Sequence, residues 1–191
     1  PAQFTGEEAG GNDPSATKKI SVLLVAVHND ELTLLQNIVA KAGLTASFYE
    51  IEIFSTIRAV VEEQVKPVMI IDVGAASTKV YVAEHGVVAL SHAVSAGSQD
   101  ITRAIAVSGN MSLSQAEAIK KTQGLAEDGA QGSPELVFSR IFAEVRRVLM
   151  QYESAHKKAV SSIIFTGGGG VTKELGVYAK NIFSIDVRVA D

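Results

Sequence analysis

The chain carries the stretch Asp72-Val-Gly-Ala-Ala-Ser-Thr-Lys79 between two apolar runs, Val68–Ile71 and Val80–Ala83. This order predicts a β-strand, a turn of small residues that begins with a carboxylate, and a second β-strand. Such a unit is typical of loops that bind phosphate. An ordinary tight turn capped by Asp has the same pattern, so other segments must separate the two interpretations.

The small residues of this turn favour contact with an anion. Gly74 and Ala75 leave room for a phosphate to approach backbone N–H groups, and Ser77 and Thr78 add hydroxyl donors. Asp72 stands at the predicted end of the first strand. We expect it to hold Mg²⁺ through the water shell of the ion, because Mg²⁺ prefers one or two carboxylates together with phosphate oxygens.

Four consecutive glycines, Gly167–Gly170, follow a second buried strand predicted at Ser161–Thr166. A helix is predicted soon after them, over residues Thr172–Asn181. Bare backbone at a helix N-terminus lets a flat ligand or a phosphate lie close to the chain. A flexible loop has the same composition, and the glycines alone leave that alternative open.

A third segment, Ser112-Leu-Ser-Gln115, has the capping-box pattern that starts a helix. In that helix Glu117, Lys120 and Lys121 share one face, because residues three and four apart are neighbours. These side chains are either ligand contacts or a solvated helical ion pair, and their spacing permits both.

The order of the three segments resembles the second half of the actin, sugar-kinase and chaperone ATPase superfamily. More narrowly, Ser98–Ala106 followed by Gln115–Lys121 resembles the family of the type IV pilus assembly protein PilM. Upstream, Val22–Val27 and Ala42–Leu44 are similar to the end of a subdomain inserted in that family. The related cell-division family FtsA usually has Lys-Asp where this chain has Arg103-Ala104.

The resemblance implies an α/β fold, namely an actin-like ATPase (ribonuclease-H-like) domain with part of an inserted α/β subdomain. It implies ATP and Mg²⁺ as cofactors, with a phosphate loop, an adenosine motif made of glycines, and a Glu and a Lys that contact ribose and adenine. The residues carried over are Asp72, which also serves the metal, Gly74, Ala75, Ser77, Thr78, Lys79, Glu117, Lys120, Lys121, Gly167, Gly168, Gly169 and Gly170. Family members usually have two glycines where this chain has Ala96-Gly97, so we expect a slightly different backbone there.

The domain organisation expected from this resemblance has three parts. Residues 1–19 are a flexible loop or linker, residues 20–66 are the end of the inserted subdomain with a connecting helix, and residues 67–191 are the second actin-like domain. The first phosphate loop of the superfamily lies in a domain that should precede residue 1. The resemblance therefore implies a fragment with one wall of a nucleotide cleft, inactive on its own.

The resemblance implies an ATP-binding, actin-like cytoplasmic component of pilus assembly, peripheral to the membrane at its inner face. Nucleotide sets the closure between domains, and the partner is the tail of a PilN-like inner-membrane protein, with self-association as a further expectation. Turnover is at most that of a slow ATPase. Two alternatives stay open: a small-molecule kinase of the same superfamily, and a degenerate secretion-system scaffold that has lost nucleotide.

Composition excludes several other classes. The chain has 191 residues, 47% of them hydrophobic, which describes a globular protein. It has no cysteine, so disulfides and thiolate metal sites are excluded. The net charge of −4 and the scattered basic residues disfavour nucleic acid as a partner.

Periodicity and turn signals predict the remaining elements. Ser133-Pro134 is a strong helix start, and the apolar stripe that follows is expected to pack on the strands around Ile70 and Ile164. A hairpin turn is predicted at Glu84–Gly86. The other predicted elements are strands at Ile20–Val27 and Ala46–Ile51, and helices at Asp30–Ala42 with Asn29 as N-cap, Phe54–Val65 and Ser98–Val107.

Overall fold

The computed structural model describes residues 26–62, 65–125 and 133–190. The chain divides into two compact units, residues 1–51 and residues 52–191. The predicted linker at residues 1–19 lies outside the described residues, and so does the predicted strand Ile20–Val27 except for its last two positions, which are not in a strand.

The described part of the first unit contains one helix, α1 (Asn29–Lys41). The helix ends where the sequence predicts, because Gly43 takes a left-handed conformation with φ +69° and the next N–H reaches back to the carbonyl of Val39 at 3.0 Å. Asn29 was expected to cap the helix but is its first residue, and the N-cap position belongs to His28.

The strand predicted at Ala46–Ile51 is wrong, since these residues lie in neither strand nor helix. A strand is held by hydrogen bonds to a neighbouring strand. None of the strands described in this chain pairs with residues 46–51.

The second unit is built on a five-stranded sheet in the order β3-β2-β1-β4-β5. Strands β1, β2 and β3 are antiparallel neighbours, whereas β1, β4 and β5 run parallel. The mixed α/β fold class is therefore confirmed. The elements are α2 (Glu52–Val60), β1 (Val68–Val73), β2 (Thr78–Glu84), β3 (Val87–Val94), α3 (Ser98–Ser108), α4 (Leu113–Gln123), α5 (Ser133–His156), β4 (Ser162–Thr166), α6 (Leu175–Phe183) and β5 (Asp186–Val189).

Most of these elements lie close to where the sequence predicts them. The hairpin between β2 and β3 turns at His85 and Gly86, with φ values of +52° and +75°, which is the conformation of a tight hairpin turn. Helix α2 begins two residues before the prediction and ends at Val60, well short of Val65. A helix that continued to Val65 would approach Pro67, which disfavours helical backbone at the residue preceding it, Lys66. Strand β1 begins directly after this proline, at Val68.

The main core lies between one face of the sheet and α5. Met69, Ile71 and Val73 of β1 and Phe165 of β4 are fully buried in it. The apolar stripe of α5 packs there as predicted, and its buried members are Phe138, Ile141, Phe142, Val145, Val148 and Tyr152. Burying side chains of this size contributes roughly 1.5–3 kcal/mol each.

The stripe packs on the two strands that contain Ile70 and Ile164, as predicted, but against the neighbouring side chains of those strands. Successive residues of a strand point to opposite faces, so Ile70 and Ile164 lie on the face away from α5 and are absent from its core cluster. Both side chains are nevertheless buried, and so are Ile57 of α2 and Val61, the residue that follows this helix. Among the described residues, no helix combines the length and the apolar character that crossing a membrane requires.

A polar cluster ties the hairpin to the end of α5. Glu84 accepts a hydrogen bond from the buried hydroxyl of Tyr152 at 2.8 Å and forms an ion pair with Lys158. The hydrogen bond from Lys158, followed by the one from Tyr152, holds the pKa of Glu84 below its ordinary value of 4.5.

We expect Tyr152→Phe to lower the free energy of unfolding by about 1.5–3 kcal/mol at neutral pH, because the lost hydrogen bond is made to a charged group. A carboxylate with a lowered pKa contributes stability above its unfolded-state pKa and loses it as pH falls through the folded-state pKa. The effect of the substitution should therefore shrink well below the ordinary pKa of 4.5. Urea denaturation at neutral and acid pH measures both quantities.

Tyr178→Phe is the matched control, because the Tyr178 ring stacks on Phe142 without a hydrogen bond from its hydroxyl in the described part of the chain. Equal losses in the two variants, or a loss for Tyr152→Phe that does not change with pH, would contradict a role for Glu84.

Candidate functional site

The phosphate loop and the glycines emerge side by side at one edge of the sheet. Asp72, near the end of β1, is the register partner of Thr166, the last residue of β4. The two strands are parallel neighbours. After β1 the chain continues to β2, toward one edge of the sheet, and after β4 it continues to β5, at the other edge. Ligands of open α/β sheets bind outside the carboxyl ends of the strands at such a point.

The turn between β1 and β2 is held by the first residues of α3. Gly74 donates its N–H to the carbonyl of Ser77 at 3.0 Å, and the N–H groups of Ser98 and Gln99 donate to the carbonyls of Gly74 and Ala75, both at 2.9 Å. Within the described ranges, the N–H groups of residues 75–77 have no hydrogen-bond acceptor. The turn therefore has its carbonyls satisfied by α3 and its N–H groups available to an anion.

Gly97 makes this contact possible. A Cβ at position 97 would lie 2.5 Å from the carbonyl oxygen of Ala75 and 2.8 Å from that of Gly74. The N–H of Gly97 donates to Asp100 Oδ2 at 2.9 Å, which caps the start of α3. Of positions 96 and 97, where the resemblance leads us to expect two glycines, position 97 is thus the one at which the packing of this loop requires glycine, and Ala96 is accommodated in the core.

Two of the predicted loop residues have protein partners. Thr78 is fully buried, and its hydroxyl donates to the carbonyl of Ala96 at 2.8 Å. Lys79 Nζ forms an ion pair with Glu52 Oε2 at 2.5 Å. A contact of either side chain with phosphate stays a prediction, since each would first have to share or leave these partners.

Asp72 lies half-buried at the centre of the site. Burial, and next the nearby charge of Glu52, raise the pKa of Asp72, while the charge of Lys79 opposes the shift. The hydrogen bond to Glu52 in turn raises the pKa of Lys79. In the described ranges no three His, Cys, Asp or Glu side chains group together as ligands. A lone carboxylate fits Mg²⁺ bound mainly by phosphate oxygens and water.

The glycines after β4 form a series of tight turns packed against the phosphate loop. The N–H of Gly169 donates to the carbonyl of Val73 at 2.8 Å, and Gly167 has φ +80°. A Cβ at Gly167 would overlap the Oδ1 atom of Asp72, whereas a Cβ at Gly168 would meet nothing within 4 Å. The close approach of β1 and β4 therefore requires Gly167, and Gly168 faces open space.

The helix predicted at Thr172–Asn181 begins later than expected. Helix α6 starts at Leu175, and the preceding residues are in turns closed by three-residue steps, such as the bond from the N–H of Thr172 to the carbonyl of Gly169. Glu174 at the N-cap has φ +65°, a left-handed conformation that separates the turns from the helix. The glycines thus lie ahead of a helix N-terminus without forming part of it.

The third motif forms a partly buried network between α3 and α4. Glu117 Oε2 accepts a hydrogen bond from the hydroxyl of Thr102 at 2.7 Å and an ion pair from Lys120 at 2.7 Å. Lys120 also donates to the carbonyl of Ser98 at 3.2 Å. The bonds from Lys120 and then Thr102 lower the pKa of Glu117. Lys121 stands apart, with its side chain 72% exposed and its Nζ 3.7 Å from Glu117 Oε1.

Ser98 joins the three motifs. Its N–H supports the phosphate loop, its carbonyl accepts from Lys120, and an added Cβ on Gly169 would come within 3.0 Å of the Ser98 side chain. The end of α4 also reaches the exit of the glycine turns, since the N–H of Leu125 donates to the carbonyl of Lys173 at 3.1 Å.

The residues that sequence reasoning did not single out for the site are Glu52, Gly97, Ser98 and Thr102. Three of these, Gly97, Ser98 and Thr102, lie in or beside Ser98–Ala106, the segment that carries the resemblance. That segment indicates the family, but its sequence does not show which of its residues contact the phosphate loop or Glu117. Glu52 pairs with Lys79 across 27 positions of sequence, and no local pattern reports such a pair.

Comparisons with known proteins agree with the fold. A family profile described as type IV pilus assembly protein PilM matches residues 8–191. No curated protein sequence matches the chain. A solved PilM–PilN type IV pilus biogenesis complex is similar with a TM-score of 0.72 at 20% identity, over 85% of this chain and 48% of the solved one.

Two other similar structures are MreB 5 of Spiroplasma citri bound to AMPPNP and an archaeal actin homolog. The MreB structure has a TM-score of 0.65 at 18% identity, over 86% of this chain and 60% of the other. The actin homolog has a TM-score of 0.52 at 19% identity, over 70% of this chain and 45% of the other. These likenesses confirm the actin-like fold. The chain spans about half the length of these proteins.

Proposed function

Because the chain belongs to the family of the type IV pilus assembly protein PilM, we propose that it forms one wall of an ATP site in an actin-like component of pilus assembly. The observation that carries this proposal is the meeting of the phosphate loop, the glycine turns and the Glu117–Lys120 pair around Ser98. Three motifs that are far apart in sequence converge on one residue at the edge of the sheet where ligands bind in such folds.

The proposed roles follow from this geometry. The N–H groups of residues 75–77 donate hydrogen bonds to phosphate oxygens, and Asp72 orders Mg²⁺ through its water shell. Gly168, which faces open space, lies against the base, and Glu117 accepts a hydrogen bond from a ribose hydroxyl. The similar MreB structure is bound to AMPPNP, an ATP analogue, which supports a nucleotide at the equivalent place.

We extend the proposal to the partner and the cellular setting. The similar PilM structure is a complex with PilN, which supports the tail of a PilN-like inner-membrane protein as the partner. The protein would then act in the cytoplasm as a peripheral component at the inner face of the membrane. Bound nucleotide would set the closure between this wall and a facing domain, and closure would set the affinity for the tail. Self-association is part of the same proposal.

The 191-residue chain alone is expected to bind ATP with a Kd of about 1 mM or weaker. Real ligand pockets bury most of the ligand, whereas a single wall leaves much of the nucleotide in water. Titration with a fluorescent ATP analogue, with and without Mg²⁺, measures this affinity. Micromolar binding by the isolated chain would contradict the one-wall proposal.

The same titration on the full-length protein tests the function, with phosphate release followed in parallel. Tight binding with negligible release is the expected result. Release that depends on an added small molecule would favour a kinase, and absence of binding would favour a scaffold that has lost nucleotide.

A further inference from the structure

The ammonium group of Lys120 has no donor left for a ligand. It carries three N–H donors, and three protein acceptors surround it: the carbonyl of Ser98 at 3.2 Å, Thr102 Oγ1 at 2.9 Å and Glu117 Oε2 at 2.7 Å. Its side chain is only 10% exposed. A contact with ribose or adenine would cost one of these bonds, so the geometry gives Lys120 a supporting role.

Thr102 completes the support of the carboxylate. Its hydroxyl is buried, accepts from Lys120, and has a single hydrogen to donate. Glu117 Oε2 lies 2.7 Å from it and the carbonyl of Ser98 lies 3.2 Å from it. The hydrogen goes to Glu117, because the shorter bond to a charged acceptor is the stronger one. Thr102 and Lys120 therefore both act on the same oxygen, Oε2.

We propose that Thr102 and Lys120 are positioning residues that hold Oε2 of Glu117, so that its other oxygen, Oε1, is left for the ribose hydroxyl named in the proposed function. The neighbour of Oε1 in the described structure is the exposed Lys121 at 3.7 Å, beyond normal hydrogen-bond length. The Glu117 side chain is 38% exposed, so a ligand can reach this residue from solvent. This inference rests on the proposed function.

Helix α3 connects this contact to the phosphate loop. Its first turn supports Gly74 and Ala75 through the N–H groups of Ser98 and Gln99, and one turn later Thr102 holds Glu117. A helix rises about 5.4 Å per turn and is rigid on this scale. The spacing between the phosphate and ribose subsites is therefore set by α3.

The test compares Thr102→Val with Thr102→Ser in the full-length protein, with ATP and inorganic tripolyphosphate as the two probes in calorimetric titrations. Valine keeps the shape of threonine and removes the hydroxyl, so ATP affinity should fall about tenfold. Tripolyphosphate has no ribose, and its affinity should not change. Serine restores the hydroxyl and should restore ATP affinity. Thermal melting of each ligand-free variant checks that it is folded.

A double-mutant cycle separates positioning from a direct contact. Once Glu117→Ala has removed the carboxylate, Thr102→Val and Lys120→Met should each cause no further loss of ATP affinity. A further loss for Lys120→Met would overturn its supporting role and place it against the ligand. Unchanged ATP affinity for Thr102→Val, or equal losses for ATP and tripolyphosphate, would overturn the role of Thr102.

Failure of the proposed function gives a different result. A wild-type protein that binds neither probe would remove the nucleotide site altogether. A wild-type protein that binds ATP, together with a Thr102→Val variant that binds it equally well, would remove only the positioning role.

Discussion

Gly167→Ala is expected to destabilise the second unit strongly, whereas Gly168→Ala, one residue further on, leaves its stability unchanged. Gly167 has φ +80°, and this conformation costs about 1–3 kcal/mol for a residue with a Cβ. The new Cβ would also overlap Asp72 Oδ1 and lie 2.8 Å from the carbonyl oxygen of Val73. The backbone carbonyl cannot move without separating β1 from β4 at the site.

Chemical denaturation of the 191-residue chain measures the effect, with Gly168→Ala as the control because its added Cβ meets no atom within 4 Å. Equal stabilities for the two variants would contradict the packing of Gly167 on Asp72.

In the full-length protein the control variant, Gly168→Ala, also tests the proposed function. Gly168→Ala should lower ATP affinity if position 168 lies against the base as proposed, even though it leaves the fold intact.

Asp72→Ala in the full-length protein is expected to remove the dependence of ATP binding on Mg²⁺. A carboxylate that acts through the water shell of an ion typically contributes about 10–100-fold to its affinity. Wild-type protein should therefore bind ATP more tightly with Mg²⁺ than with EDTA, and the variant should bind it equally in both. The fold should survive, because Lys79 keeps its ion pair with Glu52.

Asp186→Ala serves as the control for this experiment. Asp186 is an exposed aspartate that begins β5. Its register partner is Ser162, the first residue of β4, whereas Asp72 pairs with Thr166 at the other end of that strand. It should leave both the Mg²⁺ dependence and the melting temperature unchanged. Loss of thermal stability in ligand-free Asp72→Ala protein, with its Mg²⁺ dependence intact, would favour a structural cap of the turn.

The sequence predicted those features that short-range chemistry determines. The capping box at the start of α4 forms as expected, with Gln115 donating its N–H to the hydroxyl of Ser112 at 3.3 Å and accepting the N–H of Ser112 at 3.0 Å. The hairpin turn at residues 85–86 and the end of α1 at Gly43 follow equally local rules.

The features that the sequence did not predict depend on distant parts of the chain. Because successive side chains of β1 point to opposite faces of the sheet, Ile70 points away from α5. The sequence does not show which face of the sheet each helix covers. The late start of α6 depends on turns that fold back on the end of β1. In the site, the hydroxyl of Thr78 has an acceptor 18 residues away in sequence, the carbonyl of Ala96, while its contact with phosphate stays a prediction. The spacing of Glu117 and Lys120 was visible, whereas the hydroxyl of Thr102 that orients them lies on another helix.

The burial pattern of β1 separates two kinds of selection. Five of its six residues are buried, and Asp72 alone is partly exposed. Selection for folding alone would make position 72 the most permissive in the strand, and its codon would drift faster than its neighbours. In a saturation library, a screen for folded protein should accept many residues at this position. A screen for the proposed ATP binding should accept few, and the difference between the two screens would measure how much of the constraint on position 72 comes from the proposed ligand.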